Sequence, residues 1–341
     1  MSSASRAGAP SRPRTPSRSR QTALATTALI SSVLWMATAC AGPLSIAVPG
    51  ARAFPESITS AQDGTLFVGR LGEGGIVRAI PGTGAVALFV APGAAGSRSI
   101  TGVYADDASG TLWACSNDLS ALGGASDGDR GSALKAFDLR TGAGKRSIPL
   151  PGPRAFCNDI AVDSSGAVYV TDSVGPNVLR LPLRASTFEV FASDPRFMPP
   201  QPASAGLDGI AFGGDGALYV TTYAAGGLFR IAIANGRAGR VTRLQGPPLV
   251  LPDGLRSLGR GSFLLVEGAG TLDRVEVKGG AFEAAHLRAG FRTPTSVARV
   301  RSIAWVSEGQ LSFFFDPSKK SQSPSLPFRI YAVPLSKGQT Q

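Results

Sequence analysis

The chain has 341 residues, of which 43% are apolar and 17% charged, with 43 Gly and 25 Pro. That apolar share excludes a disordered polyelectrolyte, and so much Gly and Pro excludes a helical bundle, whose helix interiors both residues break. The net charge of +11 is no nucleic-acid signature: Arg6, Arg12, Arg14, Arg18 and Arg20 supply +5 within residues 1–39, and the rest is spread without a basic run or aromatic–basic interleaving.

In chain order, residues 1–20 are rich in Arg, Ser and Pro, and residues 22–39 are apolar and uncharged, ending Ala37-Thr38-Ala39 before Cys40. A basic start, an apolar stretch and small residues ahead of a cleavage point describe an export signal over 1–39. Cys40, then the first mature residue, makes the site similar to the lipidation box of bacterial lipoproteins, with Ala37 where Leu is preferred. The alternative is an uncleaved anchor, since about 18 apolar residues just reach across a bilayer. The protein is therefore expected in the periplasm or lipid-anchored in the cell envelope, with secretion as the alternative. Membrane contact is expected through this segment alone. Residues 40–53 read as a linker with a closing strand at 44–48, and 54–341 as the globular body.

From Phe54 onward one unit recurs six times: a polar residue, a short apolar stretch, an Asp/Ser-Gly turn, then a β-rich run. The copies open Glu56-Ser57-Ile58, Thr101-Gly102-Val103, Asn158-Asp159-Ile160, Asp208-Gly209-Ile210, Asp253-Gly254-Leu255 and Thr295-Ser296-Val297. Their aliphatic anchors are 45, 57, 50, 45 and 42 residues apart. A period of about 40–50 residues built only of short strands marks the blades of a β-propeller. Third strands are expected at 76–80, 133–139, 178–183, 228–233, 271–277 and 328–333, and fourth strands at 86–90, 145–150, 187–191, 240–244 and 281–287. The sixth unit lacks a fourth strand, and 44–48 is expected to supply it, closing the ring without an open sheet edge. The expected fold is all-β: a six-bladed propeller with four-stranded blades, as a monomer.

Two residues before each anchor stand Glu56, Thr101, Asn158, Asp208, Asp253 and Thr295. The innermost strand of every propeller blade lines the central channel, so equivalent positions form a ring. Strand alternation is expected to keep each of these residues on the same facing as its anchor. Three bare carboxylates in one ring repel: two unit charges about 5 Å apart cost roughly 3 kcal/mol at an effective dielectric near 20. Either some protonate or a cation sits among them. An all-oxygen donor set without His or thiolate selects a hard ion, Ca2+ above all, with another divalent cation as the alternative. The competing reading is that Asp-Gly and Asn-Asp are turn chemistry alone.

These motifs resemble the senescence-marker-protein/gluconolactonase group, the regucalcin-like lactonases, with diisopropyl-fluorophosphatase as a relative. The resemblance covers roughly residues 54–335. It implies that Glu56, Asn158, Asp208 and Asp253 hold a catalytic Ca2+ near the propeller centre. Asp208 stands where the family usually has Asn, and Glu56-Ser57 where Glu-Gly-Pro is usual; the extra negative charge implies tighter binding of a less electrophilic ion. The implied activity is hydrolysis of a small lactone or related ester, with Asp253 as general base or nucleophile and Thr101, Thr295 and Ser296 as substrate hydrogen-bonders. The alternative function is a non-catalytic exported propeller that binds a small ligand or a protein.

Four remaining features are weighed against other chemistries. The segment 116–131, with Asn117, Asp118, Asp127, Asp129 and Arg130, is expected as a lid. Gly124-Ala125-Ser126-Asp127-Gly128 matches Gly-x-Ser-x-Gly but lacks a strand-to-helix elbow. His286, the chain's one histidine, falls in an outer strand far from the axis, which disfavours a serine triad. Cys115 and Cys157 read as two small buried hydrophobes, although export permits a disulfide.

Overall fold

The computed structural model describes residues 45–201, 204–319 and 321–335. The export signal (1–39) and the lipidation candidate Cys40 therefore lie outside the described residues. The observed architecture is six four-stranded antiparallel sheets. After β1 (Ser45–Val48), the first blade is β2 (Pro55–Ser60), β3 (Leu66–Arg70), β4 (Ile76–Ile80) and β5 (Ala85–Val90). The second is β6 (Ser99–Asp106), β7 (Thr111–Asn117), β8 (Ser132–Asp138) and β9 (Gly144–Pro149). The third is β10 (Cys157–Val162), β11 (Val168–Asp172), β12 (Asn177–Leu181) and β13 (Glu189–Ser193). The fourth is β14 (Leu207–Phe212), β15 (Leu218–Thr222), β16 (Gly227–Ala234) and β17 (Arg237–Arg243). The fifth is β18 (Pro252–Gly259), β19 (Ser262–Glu267), β20 (Thr271–Lys278) and β21 (Ala281–Ala289). The sixth is β22 (Pro294–Val300), β23 (Ile303–Glu308) and β24 (Phe328–Pro334), completed by β1.

The turn between first and second strands shows why the repeat is legible. Asp63 Oδ1 accepts from Thr65 N, Asp163 Oδ1 from Ser165 N and Ala167 N, and Asp215 Oδ1 from Ala217 N. Gly64 and Gly166 adopt φ of 90° and 81°, a left-handed conformation in which a Cβ is strained. Apolar residues on both faces of the middle strands then fill wedges between neighbouring sheets. One wedge joins Trp113, Leu134 and Ala136 of the second blade to Ile160, Val170 and Leu179 of the third. Another joins Tyr169 of the third to Val220 and Phe229 of the fourth.

The ring closes as expected. Ser45 pairs with Tyr331 and Val48 with Phe328, and Ile46 and Val48 are buried with Phe328, Ile330 and Trp305. The segment between β23 and β24 contains a short helical turn, α1 (Ser312–Phe315), whose buried Phe314 meets Phe54 edge-on at 5.4 Å. One expectation is corrected. Cys115 in β7 and Cys157 in β10 are not separate thiols but a disulfide, with their Cα atoms 5.2 Å apart. Both cysteines are buried in the same wedge, where strands of successive blades face one another. A separation of 42 residues in sequence hides that proximity.

Candidate functional site

Each innermost strand carries a register shift at the same place. The shifts fall between Pro55 and Ser57, Ile100 and Gly102, Cys157 and Ile160, Leu207 and Ile210, Pro252 and Leu255, and Pro294 and Ser296. A bulge inserts one unpaired residue and re-aims its side chain. Glu56, Thr101, Asn158, Asp208, Asp253 and Thr295 all lie inside these shifts. Simple alternation, the expected cause of their common facing, is interrupted here; the sixfold bulge replaces it.

The glycines that follow serve close approach between blades. A Cβ on Gly102 would fall 2.1 Å from Asn158 O, and one on Gly209 would fall 2.4 Å from Asp253 O. Both Asp-Gly pairs of the ring thus sit within strands, not in turns. Hydroxyls of the preceding blade then fix the ring backbone: Thr171 Oγ1 donates to Asp208 O at 2.6 Å, Ser173 Oγ to Leu207 O at 2.6 Å, and Thr221 Oγ1 to Asp253 O at 3.2 Å.

A second repeated device was missed from the sequence. The last residue or two of the second strand accepts from a backbone N–H just ahead of the bulge. Ser116 Oγ takes Arg98 N at 2.8 Å, Asp172 Oδ1 takes Phe156 N at 2.9 Å, and Glu308 Oε2 takes Arg292 N at 2.8 Å. Glu267 does the same for Val250 N. The available signal was a polar residue closing each β-rich run.

Glu56, Asn158, Asp208 and Asp253 are 7%, 7%, 4% and 5% exposed. Asn158 Nδ2 donates to Ser173 Oγ at 2.8 Å and to Asp208 Oδ2 at 3.3 Å, which leaves its carbonyl oxygen for another partner. The Asp208 and Asp253 carboxyl groups each influence the other's protonation. Burial comes first among the forces on them, since it penalises the charged form. It pushes the Asp208 carboxyl up to about 8. Burial and then the charges of Asp208 and Glu56 push Asp253 well above the usual carboxylate range. Glu56 is likewise raised by burial and by Asp208 and Asp159, with Arg256 opposing. Tyr223, following β15, was not foreseen; burial and then the charges of Asp253, Asp208 and Glu56 raise its hydroxyl above the usual phenol range.

The other expected residues are placed differently. Thr101 Oγ1 donates to Cys157 O at 2.7 Å and accepts from Asn117 Nδ2 at 2.7 Å, and Thr295 Oγ1 donates to Pro55 O at 3.1 Å. These hydroxyls are engaged between blades. Ser296 Oγ stands 3.5 Å from Arg256 Nη2. The expected lid is tied down: Arg98 binds Asp118 at 2.7 Å and Gly128 O at 2.9 Å, and the buried Lys135 binds Asp129 at 2.7 Å. His286 lies in β21 and pairs with Asp273, which is fully buried. Two clefts of about 600 and 720 Å3 lie apart from the ring, on the outer strands of blades four and five, with Arg240 in both.

Among the described residues, no three His, Cys, Asp or Glu side chains form a ready-made metal group. The donor chemistry nevertheless fits a hard cation. Asp208 Oδ1 is buried without any partner, and three buried carboxyls raised by burial, Glu56 and Asp253 also by the charge of Asp208, are the groups a divalent ion relieves.

Fold and site together define a six-bladed β-propeller with a buried acidic ring at the start of its inner strands. No protein-family model matches the chain, and no curated protein matches it. Solved structures do share the fold. The major Malassezia sympodialis allergen Mala s 1 is 16% identical over 85% of this chain and 96% of its own, with a TM-score of 0.65. A gluconolactonase from Xanthomonas campestris is 16% identical over 86% and 95%, with a TM-score of 0.56. A putative gluconolactonase is 13% identical over 87% and 93%, with a TM-score of 0.60. The fold of the gluconolactonase structures is thus the fold of this chain.

Proposed function

We propose that the chain is a metal-dependent hydrolase of a lactone or related small ester. Glu56, Asn158, Asp208 and Asp253 would hold Ca2+ or another hard divalent cation. The observation that supports this reading is the bulge shared by all six inner strands, on which Glu56, Asn158, Asp208 and Asp253 stand buried at equivalent positions, with Asp208 Oδ1 left unpartnered. When bound, the ion supplies polarisation of the ester carbonyl and stabilisation of the oxyanion. Asp253, once ionised, either takes a proton from the attacking water or attacks the carbonyl itself. The Tyr223 hydroxyl, held protonated, donates a hydrogen bond to the substrate. With Thr101 and Thr295 engaged between blades, their part is to hold the ring backbone, and Ser296 remains as a substrate contact. The named gluconolactonases of the same fold support a lactone as substrate.

The Cys115–Cys157 disulfide supports an oxidising compartment, in keeping with export to the periplasm or cell envelope. Burial, which raises Asp253 well above the usual carboxylate range and so favours its protonated form, favours a second reading, a propeller that binds a ligand without turnover. Hydrolysis of a lactone panel, with calcium and with chelator, separates the two. Turnover that needs calcium and is lost in Asp253→Asn supports the hydrolase. Full activity of Asp253→Asn, or a wild type that neither binds calcium nor hydrolyses any lactone, sinks it.

A further inference from the structure

One buried ion pair lies inside the ring of blades and belongs to none of the ring ligands. Asp159 is in β10 of the third blade and Arg256 in β18 of the fifth. Arg256 Nη1 stands 2.6 Å from Asp159 Oδ2, and Nη2 stands 3.0 Å from Oδ1, a two-pronged pairing. The fourth blade lies between them in the ring. A contact from third to fifth therefore runs through the central channel.

The neighbouring strands are tied in too. Ile210 N of the fourth blade donates to Asp159 Oδ2 at 3.2 Å, and Arg256 Nη2 reaches Ser296 Oγ of the sixth at 3.5 Å. The pair thus touches four of the six inner strands. Its side chains are 6% and 14% exposed, and Arg256 Nε is buried without a partner. Taking two charges out of water is costly, so apolar residues of similar volume would fill the channel at least as stably. They would supply no charge. Asp159 directly follows Asn158, and Arg256 lies three residues beyond Asp253, so the pair's charges lie close to the ring.

We infer that Asp159 and Arg256 are a positioning pair, a charge-balanced brace across the channel that holds the inner strands and sets the field in which the ring binds a cation. Its second half rests on the reading of the ring as a cation site. The test compares wild type, Asp159→Asn, Arg256→Met, the double variant and Arg256→Lys, by calcium calorimetry and by thermal unfolding in chelator. Asp159→Asn leaves an uncompensated guanidinium and weakens calcium binding about tenfold or more, whereas Arg256→Met leaves an extra carboxylate and tightens it by a similar factor. The double variant and Arg256→Lys, which keep the charge balance, bind within about threefold of wild type. A purely structural pair would weaken binding in every variant, and that result overturns the field. In chelator, a brace makes the two single losses of Tm exceed the loss in the double variant; additive losses overturn it. If Arg256→Met does not fold, Asp159→Asn and Arg256→Lys decide the sign. A wild type that binds no calcium defeats the cation reading and the field with it, while the unfolding cycle still decides the brace.

Discussion

The disulfide yields the most quantitative expectation. Cys115 and Cys157 are separated by 42 residues, and a cross-link closing a loop of that length removes about 4 kcal/mol of chain entropy from the unfolded state. Unfolding entropy near about 2.1 cal/mol/K per residue, taken over the propeller, converts this into a fall in Tm of about 6 °C. The perturbations are Cys115→Ala, Cys157→Ala and the pair, compared by calorimetry in chelator at one pH. Either single variant already removes the cross-link, so each loses about the full amount and the double loses little more. Thiol titration of the unfolded wild type, before and after reductant, should differ by two. Losses that add across the two sites, or two thiols that titrate without reductant, would show that these residues are packing groups only.

Three further outcomes follow from the same structure. Asp208 titrates near 4 when unfolded and at about 8 when folded, so the folded chain holds the proton and stability in chelator falls as pH rises from about 4 to about 8; Asp208→Asn flattens this slope in a Tm–pH series, and an unchanged slope refutes the assignment. Lys135 Nζ, bonded to Ala95 O, Asp129 and Ser147 at 3.0, 2.7 and 2.8 Å, pins the 118–131 segment; Lys135→Met should speed its amide exchange about tenfold or more while global unfolding moves little, and unchanged exchange would mean the segment is held by other contacts. Ile46→Asp with Val48→Asp should detach β1 and expose the edge of β24, giving oligomers in size-exclusion chromatography; a monomer of unchanged Tm would contradict closure by this strand.

The fold was readable because its turns are chemically marked. Asp63, Asp163 and Asp215 each cap a turn, and β-rich runs follow at nearly constant spacing, so the six blades and the closing strand emerge from local rules. The ring was readable only by position. Its members share a phase with their anchors, but alternation was the wrong cause, since a bulge leaves no mark beyond a small residue such as Gly209 or Gly254. Long-range pairs left less trace. Nothing local ties Arg256 to Asp159 or Cys115 to Cys157, because those contacts exist only once separate blades stand side by side. The bonds of the Thr101 and Thr295 hydroxyls were hidden for the same reason: they meet backbone carbonyls of another blade.

Strand β1 has a consequence for how the molecule is assembled. Its hydrogen-bond partners lie 280 to 286 positions downstream, at Phe328 to Tyr331. It works as one half of a clasp whose other half is made last, so a chain threaded N-terminus first carries an unsatisfied strand through nearly its whole emergence. Any product that stops short of β24 leaves that half open to mate with the tail of another molecule, an exchange of identical parts between chains.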